Sequence, residues 1–391
     1  MRRCSKFKVT LYCVMAFLFW FSNYAFMSFL SAHGYMLTDT AALVGIMLGA
    51  YGWTQAAFRI PIGILADRWD NRRIFVQMGC CMCLIAALGL YFSKNIYWMI
   101  LCRALSGISA CAWAPMTILF TSYFDPKQSS KPLSLINACY FGGSLLSSVL
   151  AIPTVAVWGM RATFLLAAAA AIPSIIISFF ITEAPSVRKP IVLGALLSVG
   201  KTKWVLSLSM MSIIVQIMSF AASFGFTPQL ALRLGQKQSD IAMVQLVSMA
   251  TALIFTLLTP RLFIKNFGAR NSLLFMIFVQ AAATFIQPIM NSVPALYTVV
   301  AIEGLSRGVN VSLFLCLIVM PFTYVKQSAA MGFYQGIYSI GIILGPTITG
   351  FVAEATDLQT AFYVIGTLGL IAPMIGFFCL SDERRKLPVY E

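Results

Sequence analysis

The sequence predicts an all-α membrane protein whose twelve transmembrane helices form two pseudo-symmetric six-helix halves. The 391 residues are 60% hydrophobic and only 10% charged, and their mean hydropathy is +0.87. Soluble domains average about 25% charged residues, so this composition indicates a polytopic membrane protein. Apolar stretches of about 20 residues, the length that crosses the hydrocarbon as a helix, recur along the chain. Features of the first half of the chain also return in the second half.

Twelve spans are predicted, and short polar segments separate most of them. Their approximate limits are 9–32, 41–66, 74–93, 96–122, 132–157, 162–182, 204–232, 240–263, 271–291, 294–322, 328–353 and 359–380. The first apolar run exceeds the ~7–15 residues of a signal-peptide core, so we expect it to remain as a span. A longer connector, 183–203, divides an N-terminal half (1–182) from a C-terminal half (204–391). Within it, residues 191–199 are expected to lie as a short interfacial helix.

The distribution of basic residues orients these spans. Of the 27 Lys and Arg residues, 20 fall on the face that carries both termini and 4 on the opposite face. Cytoplasmic segments carry the excess of Lys and Arg, so both termini are predicted to be cytoplasmic in a multi-pass protein of the cytoplasmic (plasma) membrane. The net charge of +15 is then a topology signal, and no nucleic-acid partner is predicted.

An internal repeat supports twelve spans independently of hydropathy. Four short segments recur at offsets of 198 to 201 residues: 38–39 with 239–240, 103–107 with 303–307, 137–143 with 335–341, and 161–164 with 359–362. Nearly equal offsets mean that the second six spans repeat the first six.

A polar segment at 63–73 interrupts the apolar sequence between spans 2 and 3. Six of its eleven residues are charged or amide-bearing, a density that hydrocarbon cannot hold, so we expect a tight cytoplasmic loop. The segment resembles the signature G-x-L-A-D-R-x-G-R-R that joins helices 2 and 3 of major facilitator superfamily transporters. The matching positions are Gly63, Leu65, Ala66, Asp67, Arg68, Arg72 and Arg73, whereas Asp70 replaces the usual glycine.

The resemblance covers the whole chain and implies a two-half transporter with its substrate held between the halves near the midplane. It also implies that Asp67 and the loop arginines latch the cytoplasmic side of the two halves in the outward-open state. Drug:proton antiporters of the superfamily carry a G-x3-G-P-x-x-G-G signature in span 5. Span 5 lacks that signature here, which counts against a drug exporter.

Four charged residues lie inside the predicted spans: Arg59, Arg103, Glu303 and Arg307. A charge at that depth is costly and must face protein or a water-filled cavity. Three arginines against one glutamate leave two positive charges in excess, and a guanidinium suits a carboxylate or another oxyanion. We therefore predict that the three arginines bind substrate, with a small organic anion or acid-bearing metabolite as the cargo.

Glu303 and Arg307 allow two interpretations. They are four residues apart on one helix face, so they can form a neutral structural pair. Alternatively, Glu303 takes up the coupling proton with an affinity that depends on whether substrate occupies Arg307. Arg103 and Gly107 resemble the R-x3-G motif that is associated with proton coupling in the superfamily, although a helix clamp is the alternative. Arg59 resembles an arginine of anion-handling branches, but the second span-8 arginine of nitrate porters is missing.

Small residues in two spans are expected to shape helix packing. Gly45 and Gly49 in span 2, and Gly341 and Gly345 in span 11, have the spacing that allows close helix approach. Pro346 weakens its helix locally and is a candidate hinge.

Several other polar and aromatic residues are given simpler roles. Asp39 and Asp240 each precede a span and are expected to cap it. His33, at the outer end of span 1, is expected to be exposed to water. The aromatic residues of span 1 are expected to face lipid or pack against neighbouring helices.

Other classes of protein receive little support. With a single histidine there is no H-E-x-x-H motif and no histidine-based metal cluster, and no complete G-x4-G-K-[ST] phosphate loop occurs. We predict no enzyme activity, no metal and no cofactor. The expected partners are the lipid bilayer, a small-molecule substrate and a coupling proton. The chain is expected to be a monomer. A proton-driven drug or metabolite exporter is the alternative function, and a non-transporting membrane receptor is a remote one.

Overall fold

The computed structural model describes residues 6–69, 71–124, 130–183, 198–322 and 324–380, which are helical apart from short connections. The predicted all-α fold is confirmed. The first six spans are Lys6–Tyr24 with a 3-10 turn at Met27–Phe29 and Leu30–Tyr35 (span 1), Ala41–Arg68 (span 2), Arg72–Tyr91 (span 3), Ile96–Cys111 with Trp113–Thr121 (span 4), Ser130–Trp158 (span 5) and Ala162–Ser178 (span 6).

The last six spans include two π-helical segments. They are Lys203–Ala221, π-helical Ala222–Phe226 and Thr227–Arg233 (span 7); Gln238–Ile241, Ala242–Thr259, π-helical Pro260–Ile264 and Lys265–Phe267 (span 8); Ala269–Ile286 with Gln287–Ile289 (span 9); Val293–Val319 (span 10); Tyr324–Ala355 (span 11); and Leu358–Gly369 with Ile371–Cys379 (span 12).

Each predicted span therefore coincides with a helix or a short series of helices. Eleven of them are long and apolar enough to cross a membrane. The other, Ala162–Ser178, has 17 residues, about 26 Å of helix, at the short end of the range for a spanning helix.

The connection between spans 2 and 3 is shorter than predicted. Span 2 continues as a helix to Arg68 and span 3 begins at Arg72, so Gly63 and Asp67 belong to the last turns of span 2. A helix satisfies its own backbone hydrogen bonds as far as the membrane surface, whereas a loop does not. Asn71 caps span 3, because its side chain accepts a hydrogen bond from the N–H of Ile74 at 3.4 Å.

The interior is built from several apolar clusters. One cluster contains only residues between 199 and 380, including Leu208, Leu273 and Leu313. Another contains only residues between 12 and 181. A third cluster joins spans 1 to 4 and 6 with spans 7, 8, 10 and 12, so part of the apolar core lies between the two predicted halves.

Spans 2 and 11 pack closely because glycine faces glycine. A Cβ placed on Gly45 would lie 3.0 Å from the Cα of Gly350. A Cβ on Gly49 would lie 2.8 Å from Thr347 Oγ1 and 2.9 Å from the carbonyl oxygen of Ile343. Any side chain on these two glycines would push the helices apart, so this contact ties the two predicted halves together.

Gly341 and Gly345 lie against a different neighbour. A Cβ on Gly341 would lie 2.8 Å from Gln216 Cβ, and one on Gly345 would lie 3.1 Å from the Cα of Ile217, both in span 7. Pro346 lies within the uninterrupted helix of span 11. Its role as a hinge stays a prediction.

The N-terminal end of span 2 is capped from span 11. Glu354 Oε2 accepts a hydrogen bond from the N–H of Ala41 at 2.5 Å. The prediction that Asp39 caps this helix is wrong, since no side chain caps it from the N-cap position at Thr40. Asp240 does not cap span 8 either, because its 3-10 start has no side-chain cap hydrogen bond. A carboxylate on a packed partner helix can reach free N–H groups as well as a local one can.

The connector at 183–203 lies largely outside the described residues. The predicted interfacial helix at 191–199 therefore falls outside them over 191–197. Val199 lies in a helical segment, is 2% exposed and packs into the cluster of residues 199–380. The boundary between halves stays a prediction.

The glycine contact between spans 2 and 11 can be tested by substitution. Gly45→Ala should lower the midpoint of thermal unfolding of the purified protein, because overpacking typically costs about 1–3 kcal/mol. Gly63→Ala is the matched control on the same helix, since a Cβ there would meet nothing within 4 Å. Equal midpoints for the two variants would contradict the proposed tight contact.

Candidate functional site

The four charges predicted from the sequence are all buried. Arg59 is 8% exposed, Arg103 is 1%, Glu303 is 0% and Arg307 is 7%. Within the described residues, no carboxylate oxygen lies within 4.0 Å of any of the three guanidinium groups. The protein must therefore replace their lost hydration with neutral groups.

Glu303 is held by hydroxyl and amide donors. Its Oε2 accepts hydrogen bonds from Ser223 Oγ at 2.5 Å and Ser248 Oγ at 3.1 Å. Its Oε1 accepts one from Gln280 Nε2 at 3.4 Å. Spans 7, 8 and 9 thus each contribute a donor to one carboxyl group on span 10.

Ser248 links Glu303 to Arg307. Arg307 Nη2 donates to Ser248 Oγ at 2.9 Å, and the same hydroxyl donates to Glu303 Oε2 at 3.1 Å. The direct Glu303–Arg307 pair, one of the two interpretations of the sequence, is therefore not formed in this structure. The two charges are connected by a serine from a neighbouring helix.

Glycine explains how span 8 comes so close. Gly304 and Gly308 each directly follow one of the two charged residues in span 10. A Cβ on Gly304 would lie 2.8 Å from the Cα of Ser248, and one on Gly308 would lie 2.7 Å from the Cα of Ala252. Gly304 and Gly308 let the backbones of spans 8 and 10 approach closely, and this approach places Ser248 between Glu303 and Arg307.

A buried polar network continues beyond Glu303. Gln280 Nε2 also donates to Ser219 Oγ at 2.9 Å, and Asn310 Nδ2 donates to Gln280 Oε1 at 2.9 Å. All of these side chains are at most 1% exposed. The network belongs entirely to spans 7 to 10.

Arg103 is surrounded by rings and sulfur instead. Its guanidinium carbon lies 4.4 Å from the ring centroid of Tyr51 and 6.0 Å from that of Phe26. Nη1 donates to Ser106 Oγ at 3.2 Å, and Nη2 lies 3.1 Å from Met27 Sδ. Nε has no hydrogen-bond partner among the described residues. This cation is desolvated and only partly compensated.

Aromatic rings connect Arg103 to Arg307. The Arg307 guanidinium carbon lies 4.6 Å from the centroid of the Phe224 ring. Phe220 lies 5.0 Å from Phe224 and 6.3 Å from Tyr51, measured between ring centroids. The structure thus brings these two predicted arginines to opposite ends of one aromatic cluster between the halves.

A small cavity opens beside this cluster. Its lining residues are Asn23, Tyr24, Met27, Tyr51, Arg103 and Phe220. They come from spans 1, 2 and 4 and from span 7, so the cavity lies at the interface between the predicted halves.

Arg59 lies farther along span 2. Its Nη1 donates to Gln55 Oε1 at 3.2 Å and to the Tyr338 hydroxyl of span 11 at 3.3 Å. Tyr338 packs against the cluster of Tyr51 and Ile342. Arg59 therefore borders the same aromatic region, and its hydrogen bond to Tyr338 links span 2 to span 11.

Among the predicted gating residues, Arg73 contacts the end of span 6 and the first residue of the connector. Arg73 Nη2 donates to the carbonyl oxygen of Phe179 at 2.7 Å, and its N–H donates to Glu183 Oε2 at 2.8 Å. Arg72, expected in a loop, is 3% exposed, whereas Arg68 is exposed. The side chain of Asp67 lies outside the described residues.

For span 1, the expectation of an exposed His33 is wrong, and of the two roles expected for the aromatic residues Trp20 takes the packing one. His33 is 3% exposed and stacks edge-on against Phe164 at 5.2 Å, so it is not a surface residue. Trp20 packs into the interior, with ring centroids 4.7 Å from Tyr140 and 5.2 Å from Trp113. The aromatic face of span 1 therefore belongs to the core and not to the lipid.

Sequence reasoning missed the neutral partners of the charges. Ser223, Ser248 and Gln280 are ordinary residues in apolar spans, and only the glycines that follow Glu303 and Arg307 signal a close neighbour. Residues 304–308 also match the letters G-x-S-x-G. Span 10 is a continuous helix there, whereas the nucleophile of that motif sits on a strand-to-helix turn.

A family model described as Major Facilitator Superfamily matches residues 12–224 and 208–389. The chain is 32% identical over 177 residues to an uncharacterized transporter of Buchnera aphidicola subsp. Schizaphis graminum, covering 44% of each chain. It is 27% identical over 128 residues to the multi-drug resistance efflux pump PmrA of Streptococcus pneumoniae, covering 33% of this chain and 32% of the pump.

One similar protein is a plant protein whose name describes it as a probable anion transporter. The chain is 29% identical over 121 residues to probable anion transporter 6, chloroplastic, of Arabidopsis thaliana, covering 31% of this chain and 23% of that one. The matches thus span less than half the length of these curated relatives. The solved structure of the nucleoside transporter NupG superposes with a TM-score of 0.78 at 13% identity, over 95% of this chain and 100% of that one. At that identity the likeness shows the fold alone.

The serine bridge can be tested by removing one hydroxyl. Ser248→Ala should lower the midpoint of thermal unfolding, because leaving buried charged groups short of a partner costs about 1–3 kcal/mol. The matched control is Ser306→Ala, whose hydroxyl donates to two carbonyl oxygens of its own helix, those of Ile302 and Glu303, and to no other group among the described residues. If both variants unfold at the same temperature, the bridge contributes nothing to stability.

Proposed function

The chain belongs to the major facilitator superfamily, and from that premise we propose that it is a secondary transporter. It moves a small organic anion or acid-bearing metabolite across the cytoplasmic membrane by alternating access, with a proton as the coupling ion. The predicted halves, 1–182 and 204–391, alternate around the site between them, in a monomer with both termini cytoplasmic.

One observation supports the choice of an anion: among the described residues, the three enclosed guanidinium groups contact neutral partners only. Arg103 and Arg307 each keep an Nε without a hydrogen-bond partner among the described residues, and so does Arg59. A carboxylate or other oxyanion supplies the acceptor oxygens and the negative charge that these groups lack. An anion therefore gains more at this site than a neutral or cationic solute of similar size.

Glu303 is the candidate proton carrier. It is fully buried, and its carboxyl group accepts hydrogen bonds from Ser223, Ser248 and Gln280. Ser248 lies between this carboxyl group and Arg307. An anion that binds Arg307 competes with Ser248 for its N–H groups and changes the charge that Glu303 experiences. Binding of cargo and of a proton are coupled in this way.

Transport in proteoliposomes tests the coupling. With an imposed pH gradient, the unmodified protein should accumulate an organic anion above its equilibrium level. Glu303→Gln should lose the response to the gradient, because the amide keeps hydrogen-bonding capacity but cannot take up a proton. The control is Asp357→Asn, an exposed acid-to-amide change in which asparagine still serves as a helix cap.

Gradient-driven transport that survives Glu303→Gln would overturn the coupling role. A second candidate function is proton-driven export of lipophilic compounds, which the similarity to an efflux pump favours. That function predicts that expression raises resistance to such compounds and that reconstituted protein ignores organic anions.

The loop residues are proposed to latch the cytoplasmic side in the outward-open state. Asp67→Ala should shift the balance toward the inward-open state, since the latch loses its acidic member, while ligand affinity changes little. Hydrogen exchange measured by mass spectrometry in nanodiscs should then rise at the cytoplasmic ends of the spans and fall at the outer ends. Asp39→Ala, an outer carboxylate change, is the control. The same exchange pattern in both variants would argue against a latch.

A further inference from the structure

We propose that a path of polar side chains inside the second half carries protons to Glu303 from the face of the protein opposite the chain termini. This polar path does not pass through the space between the two predicted halves. It consists of Ser223 and Thr227 of span 7 and of Gln280, Thr284 and Gln287 of span 9. The inference rests on the proposed role of Glu303 as the proton carrier, and it assigns the route by which the proton arrives.

The members of the path in span 9 lie on one face of that helix. Gln280, Thr284 and Gln287 follow each other at intervals of four and three residues, the spacing of neighbours on a helix surface. Each is at most 1% exposed. The helix rises about 10 Å from the first to the last, and Asn291, a few residues farther, is exposed in the connection to span 10. The polar face therefore runs from the middle of span 9 to its surface end.

Span 7 contacts this face at both ends of the path. Ser223 Oγ donates to Glu303 Oε2 at 2.5 Å, beside the bond of 3.4 Å from Gln280 Nε2 to Oε1 of the same carboxyl group. Four residues later, Thr227 Oγ1 donates to Gln287 Oε1 at 2.5 Å. Both hydroxyl residues are at most 1% exposed. Spans 7 and 9 thus enclose polar groups from the acid to the end of span 9.

Unpaired amide atoms mark both ends of the path. Gln287 Nε2 has no hydrogen-bond partner among the described residues. Asn310 Oδ1 has none either, although its Nδ2 donates to Gln280 Oε1 at 2.9 Å. Buried polar atoms are nearly always paired, and a buried water that pairs them needs two to four polar partners. The amides and hydroxyls of the path offer such partners, so water can link members that lie one helical turn apart.

The chemistry of the path suits a proton relay. A hydroxyl group or a water molecule accepts a proton on one side and releases its own on the other. The glutamine amides keep their protonation and hold the water by hydrogen bonds. In sum, one proton leaves bulk water and forms the O–H bond of the Glu303 carboxyl group, and no other group of the path changes its charge. Polar residues within membrane spans commonly mark such relays.

The internal repeat provides a comparison within the chain. At the offsets of 198 to 201 residues, the three members in span 9 correspond to positions within 79–89 of span 3. This stretch of span 3 contains only Gly, Cys, Met, Leu, Ile and Ala. The equivalent helix of the first half therefore packs without any amide or hydroxyl there. The polar face belongs to the half that contains Glu303, which favours a role connected with this acid over a role in helix packing.

Proton uptake by Glu303 can be measured without cargo on the full-length protein in nanodiscs. A laser flash releases protons from a caged acid, and time-resolved infrared spectroscopy follows the C=O band of each carboxyl group that becomes protonated. The part of the band that is missing in Glu303→Gln belongs to Glu303. Its rise gives the rate at which protons reach this residue, and its final amplitude gives the equilibrium protonation.

Thr227→Val and Gln287→Met keep the shape of the side chain but remove the hydroxyl or the amide. Each should slow the rise of the Glu303 band by about tenfold or more, because the proton must then cross apolar surroundings. The final amplitude should stay the same, since neither residue contacts Glu303 directly. Thr227→Ser keeps the hydroxyl and should keep the rate.

The matched control is Thr349→Val in span 11. Thr349 is 0% exposed, and its hydroxyl donates to the carbonyl oxygen of Gly345 in its own helix at 2.8 Å. This variant should protonate Glu303 at the unmodified rate. A rate as slow as that of Thr227→Val would mean that any buried hydroxyl has the same effect, and it would overturn the polar path.

Two other results would also overturn it. Unchanged rates in both Thr227→Val and Gln287→Met would show that protons reach Glu303 by another route. If Glu303→Gln still abolishes gradient-driven transport in that case, the proposed function stands and only this inference fails. If no part of the infrared band belongs to Glu303, that residue takes up no proton, and both the path and the proposed coupling fail.

Discussion

The enclosure of positive charge in an apolar interior is the constraint on which this structure depends. A guanidinium that leaves water loses several kcal/mol of solvation unless protein groups replace it. Arg103 receives a ring and a thioether, and Arg307 receives a ring and one serine hydroxyl. A cation–π contact contributes about 0.5–2 kcal/mol, and a hydrogen bond to a charged group about 1.5–3 kcal/mol. Such neutral partners compensate these cations less well than a carboxylate does.

The partners of these charges depend on how closely the helices approach. Gly304 and Gly308 let span 8 settle against span 10 and bring in Ser248. Span 7 contributes through its π-helical segment, where adjacent residues serve the two charges: Ser223 donates to Glu303 and Phe224 lies against Arg307. A π-helical turn is wider than an α-helical turn and is often found at functional sites. In this half, the close helix packing and the π-helical turn therefore determine which groups compensate the two charges.

The spans, the all-α fold and the four buried charges follow from hydropathy and composition, because lipid imposes strict rules on length and charge. The neutral partners do not follow. A serine in an apolar helix has no local pattern that says which helix faces it, and Glu354 caps a helix some 300 residues away in the chain. His33 illustrates the same limit, since its burial depends on Phe164 of span 6. A local rule placed Asp39 as the cap of span 2, whereas Glu354 of span 11 caps that helix.

The internal repeat divides the chemistry between the halves. Segment 103–107 aligns with 303–307, so Arg103 and Glu303 occupy equivalent positions with opposite charge. The first position is solvated by rings and sulfur, which suit a cation, and the second by hydroxyl and amide donors, which suit a carboxylate. Arg307 touches both environments, through Phe224 on one side and Ser248 on the other. Arg307 therefore adjoins both the aromatic cluster and the hydrogen-bond network of Glu303, and in the proposed mechanism it is the residue through which charge on the cargo affects proton binding.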